Sequence, residues 1–133
     1  MKKYILMFFF FIILAGCSSA SGNHNKELEK SFSTAINEKR MEGIDINSLT
    51  DFDWEKAYVF RPYTPQEEIN EKLGFNYKDP SSIDYRDDIY LFVFLHNNKV
   101  VQYVELTTQY GNLDFETTDG YITPSNATIK VRH

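Results

Sequence analysis

Cysteine is almost missing from this sequence: Cys17 is the only one among 133 residues. A lone thiol excludes a disulfide framework and any zinc site built on several thiolates. Glycine and proline are also sparse, at 6 and 4 residues, while 42% of the chain is hydrophobic and 25% charged. That composition is too ordered for a disordered tail, and the length is too short for two full domains. Basic charge is the minority sign, 14 Lys and Arg against 19 Asp and Glu. No basic patch is evident, which excludes nucleic acid as a partner, since binding it requires clustered cations on phosphates. Histidine is scarce too: His24, His96 and His133 lie far apart and outside any motif. No serine sits in a nucleophile elbow and no glycine-rich loop follows a strand, so nucleophilic catalysis of the Ser-His or Cys-His kind has no basis here. On these grounds the chain is expected to be no enzyme, with no catalytic residue, no metal and no cofactor beyond a covalent lipid.

What is present begins at the N-terminus. Met1-Lys2-Lys3 is a short basic start, followed by the uncharged run YILMFFFFIIL over residues 4–14. The run is shorter than the roughly 20 residues a spanning helix needs, so it reads as a signal-peptide core. Leu14-Ala15-Gly16-Cys17 then places a branched apolar residue, two small residues and a cysteine in order. This resembles the lipobox of bacterial lipoproteins. The resemblance implies cleavage before Cys17, a diacylglyceryl thioether on its sulfur, and attachment to the extracytoplasmic face of the cell membrane. Two acyl chains hold a protein on a bilayer where one is marginal. Removing a 16-residue leader with two lysines and no acid lowers the formal net charge from -5 to -7. Residues 17–25 then form a lipidated cysteine and a small, polar tether, and residues 26–133 a single globular domain.

Within that domain, Leu28, Phe32, Ala35 and Ile36 recur at helical spacing between Lys and Glu, which predicts an amphipathic helix over residues 26–41. Leu49, Phe52 and Trp54 are expected to plug the end of a core. Residues 57–60 read as a strand ended by Arg61-Pro62. Thr64-Pro65-Gln66-Glu67 has the form of a capping box opening a helix over residues 65–73, with Gly74 as its left-handed stop. The segment Asp53-Trp54-Glu55-Lys56-Ala57-Tyr58-Val59-Phe60-Arg61-Pro62-Tyr63-Thr64-Pro65, continuing to Leu73-Gly74-Phe75, is similar to one in small uncharacterised lipoproteins and exported proteins of Gram-positive bacteria. That resemblance implies no activity.

Residues 89–96 (IYLFVFLH) and 99–106 (KVVQYVEL) flank Asn97-Asn98, a pair that tolerates the positive φ of a two-residue hairpin turn. Uninterrupted pairing sets His96 opposite Lys99, Phe94 opposite Val101, Phe92 opposite Tyr103 and Tyr90 opposite Glu105. One face would then be aromatic, with Tyr90, Phe92, Phe94 and Tyr103 either as core or as a binding face for a protein partner. Residues 127–132 (ATIKVR) alternate as a half-exposed edge strand does. The order predicts an α+β fold: a small antiparallel sheet of about four strands with two helices packed on one face.

Two loops collect carboxylates. Asp84, Asp87 and Asp88 crowd one, while Asn112, Asp114, Glu116 and Asp119 recur at near-alternate positions in another, as oxygen ligands do in a calcium loop. The central glycine and distal glutamate of such a loop are missing. The best-supported reading is therefore a membrane-anchored extracytoplasmic lipoprotein acting by binding. Two alternatives stay open: a calcium-dependent or hydrolytic enzyme using the acidic loops, and an inhibitor or immunity-type protein contacting its target through the aromatic hairpin face.

Overall fold

A computed structural model describes residues 22–39, 42–117 and 119–132. The leader, Cys17 and the start of the tether lie outside them. In chain order the elements are β1 (Asn23–His24), α1 (Lys26–Lys39), β2 (Ile44–Asp45), β3 (Lys56–Phe60), α2 (Gln66–Leu73), β4 (Ile89–His96), β5 (Lys99–Thr107), β6 (Asn112–Phe115) and β7 (Thr128–Arg132). Three single 3₁₀ turns punctuate the connections. The fold is α+β, with a four-stranded sheet in the order β1-β5-β4-β3 and a three-stranded sheet in the order β2-β7-β6.

Strand β4 is apolar along its length because both of its faces are covered. Its even-numbered residues Tyr90, Phe92 and Phe94 pack with Leu28, Phe32, Ala35 and Ile36 of α1 and with the inner side of the small sheet, Leu113, Ile129 and Val131. Its odd-numbered residues Ile89, Leu91, Val93 and Leu95 pack with Ile69 and Leu73 of α2 and with Tyr77 and Ile83. The helices thus sit on opposite faces of the large sheet rather than together on one. Each fully buried Phe, Ile or Leu contributes about 1.5–3 kcal/mol by leaving water. Trp54 closes one end of the first core, edge-on to Phe94 with centroids 5.4 Å apart, and Leu49 and Phe52 pack against it as expected.

The hairpin turn forms as anticipated, with Asn97 at φ 51° and Asn98 at φ 58°. The register beyond it does not. His96 pairs with Lys99 and Leu95 with Val100, but Phe94 then pairs with Gln102, Phe92 with Val104 and Tyr90 with Leu106. A bulge at Val101 inserts one residue into β5, and because side chains alternate with period two, every later residue changes face. Tyr103 therefore leaves the aromatic side and packs, half-buried, against the second core. Tyr90, Phe92 and Phe94 are buried under α1, at most 5% exposed. The expected aromatic binding face is core on one side of the sheet and a single tyrosine on the other.

Three smaller expectations are also revised. Thr64 does not cap α2: its hydroxyl donates to the Arg61 carbonyl at 2.6 Å, closing a tight turn through Tyr63 at φ 63°, and Pro65 takes the cap position in extended backbone. Gly74 does supply the left-handed stop, at φ 83°. Strand β7 is the middle of the small sheet, not an edge, and its outer face is what leaves Thr128, Lys130 and Arg132 exposed. Finally, residues 22–25 belong to the fold rather than to the tether, because β1 pairs in parallel with β5.

Candidate functional site

The chain enters the domain beside the bulge. Gly22 has φ 78°, and a Cβ there would stand 2.8 Å from Val100 Cγ1 and 3.1 Å from the Val101 carbonyl carbon, so only glycine allows this approach. Asn23 and His24 then lie opposite Gln102 and Tyr103, and the Asn25 amide donates to the Tyr103 carbonyl at 3.1 Å. Asn25 is also the start signal of α1, its Oδ1 accepting from the Leu28 amide at 2.9 Å. The strand thus ends where the helix begins. The next inward-facing donor of the β5 edge, the Glu105 amide, is taken by Glu29 Oε1 of α1 at 2.9 Å. A carboxylate continues the ladder that the two-residue strand is too short to complete.

This handover gathers charged groups from four parts of the chain. His24 Nε2 lies 2.5 Å from Glu29 Oε1 and 3.4 Å from Glu105 Oε2. Its ring stacks on Tyr103, centroids 4.7 Å apart and planes 16° from parallel. Glu105 Oε1 accepts from Arg86 Nη1 at 2.8 Å, and the same guanidinium grips Asp88 with Nε at 2.8 Å and Nη2 at 2.9 Å. Arg86 Nη1 also reaches the Ser81 carbonyl at 3.3 Å. Hydrogen bonds to Asp88, with the nearby Glu105 charge, outweigh desolvation and hold the Arg86 pKa above its ordinary value. The Asp88 carboxyl is held below its usual range by the guanidinium. Burial, and then the Glu105 charge, push the Tyr103 phenol up. The side chains of His24, Glu29 and Glu105 are a fifth to a quarter exposed, and a depression of about 320 Å³ beside them is lined by Lys26, Glu29, Lys30, Ser33, Glu105 and Thr107.

Among the described residues, His24, Glu29 and Glu105 are the one group of three His, Cys, Asp or Glu whose ligand atoms all lie within 4.8 Å of one another. Two carboxylates and an imidazole so placed can share a proton or bind a cation. The residues singled out from the sequence are arranged differently. Asn112 and Asp114 stand in regular strand β6 opposite Arg132 and Lys130, and Asp114 lies 3.5 Å from Arg132, so this stretch is a ladder and not the loop a calcium site would need. Glu116 and Asp119 follow it as exposed residues. Of the three aspartates in the other acidic segment, Asp88 faces Arg86, while Asp87 contributes its carbonyl to Thr108 Oγ1 at 3.2 Å. A cleft of about 560 Å³ runs between α1 and β2 and is lined in part by exposed polar side chains such as Thr34, Glu38 and Asp45. His24 escaped the sequence reading because it was placed in the tether. The signal that could have found it is Asn25: read as an N-cap, it puts His24 against the first turn of α1, where Glu29 stands.

Compared with protein-family models, with curated protein sequences and with solved structures, the chain gives no match. Among the described residues no helix is long and apolar enough to cross a membrane.

Proposed function

We propose that the chain is an extracytoplasmic lipoprotein, held to the cell membrane by a diacylglyceryl group on Cys17, whose α+β domain works by binding rather than by catalysis. The observation that carries this reading is the order Leu14-Ala15-Gly16-Cys17 at the end of an uncharged apolar run behind two lysines. The described residues begin at Gly22, five residues after Cys17. Five residues span at most about 18 Å even when fully extended. A lipid on Cys17 therefore keeps β1 and the start of α1 close to the headgroups, and the acidic domain, of formal charge -7 after leader removal, is repelled from anionic lipid while the anchor retains it.

The test is membrane fractionation of cells producing the wild-type chain and Cys17→Ser. The wild type should sediment with membranes and stay there in high salt, and the variant should lose that attachment. If Cys17→Ser remains membrane-bound to the same extent, lipidation is not what holds the protein there.

A further inference from the structure

We propose that His24 Nε2, Glu29 and Glu105 are the protein ligands of a divalent transition-metal site, with zinc as its characteristic occupant, at the junction of β1, α1 and β5. The proposal goes beyond membrane anchoring and does not rest on it. An imidazole and two carboxylates form a mixed nitrogen and oxygen donor set, which suits zinc better than calcium or magnesium, the cations of all-oxygen sites. The spacing is close to what the ion needs. Zinc bonds of about 2.0–2.1 Å in a tetrahedron put ligand atoms about 3.4 Å apart. His24 Nε2 and Glu105 Oε2 already stand 3.4 Å apart. Glu29 Oε1 is nearer, at 2.5 Å from Nε2, a hydrogen-bond separation that metal binding would lengthen toward the same spacing.

The surroundings orient all three ligands. Arg86 holds Glu105 Oε1 and leaves Oε2 toward His24. The Glu105 amide holds Glu29 Oε1, and Tyr103 fixes the plane of the imidazole. Partners of this kind set the direction of metal ligands. Charge also fits. With His24 neutral, Glu29, Glu105, Asp88 and Arg86 sum to -2, which a divalent ion cancels. Lys26 and Lys30 line the neighbouring depression, yet among the described residues neither comes within ion-pair distance of Glu29 or Glu105. The depression gives solvent access to the Glu29 and Glu105 carboxylates. An ion here would join the first strand to the helix and to the sheet edge, so occupancy would also stabilise the fold.

The experiment is calorimetric titration of zinc chloride into the full-length Cys17→Ser chain, stripped with chelator and held in mild detergent, so that the thiol cannot compete. The expected result is one ion per chain, with affinity lowered at least about tenfold in both His24→Ala and Glu29→Gln and no comparable heat from calcium chloride. Circular dichroism melting in chelator establishes that each variant is folded. X-ray absorption of the zinc-loaded Cys17→Ser chain, which needs no ligand variant, should show nitrogen and oxygen neighbours at about 2.0–2.1 Å together with the multiple scattering of an imidazole. Absence of saturable zinc binding, unchanged affinity in folded His24→Ala and Glu29→Gln, or a zinc spectrum without imidazole would each overturn the proposal.

Discussion

Replacing Phe92 by alanine separates a core role from a surface role for the aromatic hairpin. Phe92 is fully buried, 5.2 Å centroid to centroid from Phe32 of α1 and 6.5 Å from Phe94. Deleting such a ring removes its transfer free energy and leaves a cavity between sheet and helix, at a cost of about 3–5 kcal/mol. In a domain of this size each kcal/mol lowers the melting temperature by roughly 4–8 °C, so Phe92→Ala should melt about 12–40 °C below the wild type. That loss is a large share of the roughly 5–15 kcal/mol that holds an ordinary domain together. Tyr103→Ala provides the contrast. Its ring is half-buried on the opposite face and stacks on His24, so its loss should cost about 1–2 kcal/mol and leave the domain folded. Both values are read by urea unfolding followed by tryptophan fluorescence from Trp54. A Phe92→Ala protein within about 1 kcal/mol of the wild type would refute the packing of α1 on this face.

Two further perturbations test the segment that covers the second core. The Asp79 carboxylate accepts from the Ser81 amide at 2.8 Å, the Ser81 hydroxyl at 2.6 Å and the Ile83 amide at 2.9 Å; Asp79→Ala should cost about 2–3 kcal/mol in the same assay, because it strands a buried serine and two amides. The Tyr77 phenol, 2% exposed, is pushed well above its ordinary value by burial first and then by the Asp79 charge. With the folded pKa raised, the unfolded chain gives up the proton first, so the contribution of Tyr77 to stability is constant below about pH 10 and falls as pH rises beyond it. Tyr77→Phe, compared with the wild type by unfolding between pH 9 and 11.5, should flatten that alkaline decline; an unchanged slope would assign the titration to another group.

Much of this architecture is legible in the sequence because it follows from local patterns. The stripe Leu28, Phe32, Ala35 and Ile36, the stop at Gly74 and the turn at Asn97-Asn98 each carry their own signal and appear in the structure. The bulge at Val101 carries none, since a valine is as acceptable as an inserted residue as in the regular alternation, and one unread residue moved Tyr103 across the sheet. The small sheet was also illegible: β2 has two residues and β6 four, below the length at which alternation can be recognised, and β7 alternates like an edge because one side of its sheet is exposed. The cluster at His24 is the extreme case. Its members come from positions 24, 29, 86 and 105 and meet only because a two-residue parallel strand docks on β5, an interaction set by tertiary packing and not by propensity. A capping box at Thr64, by contrast, has the right letters and is not used, because the turn at Arg61 claims its hydroxyl first.

The central claim is that the chain is anchored through Cys17, and its most direct test is intact-mass and N-terminal fragment analysis of the protein extracted from the membranes of the cells that make it. The account predicts a chain whose first residue is Cys17, with the mass of a diacylglyceryl group on its sulfur. A chain that retains residues before Cys17, or one that carries Cys17 as a free thiol, would contradict it.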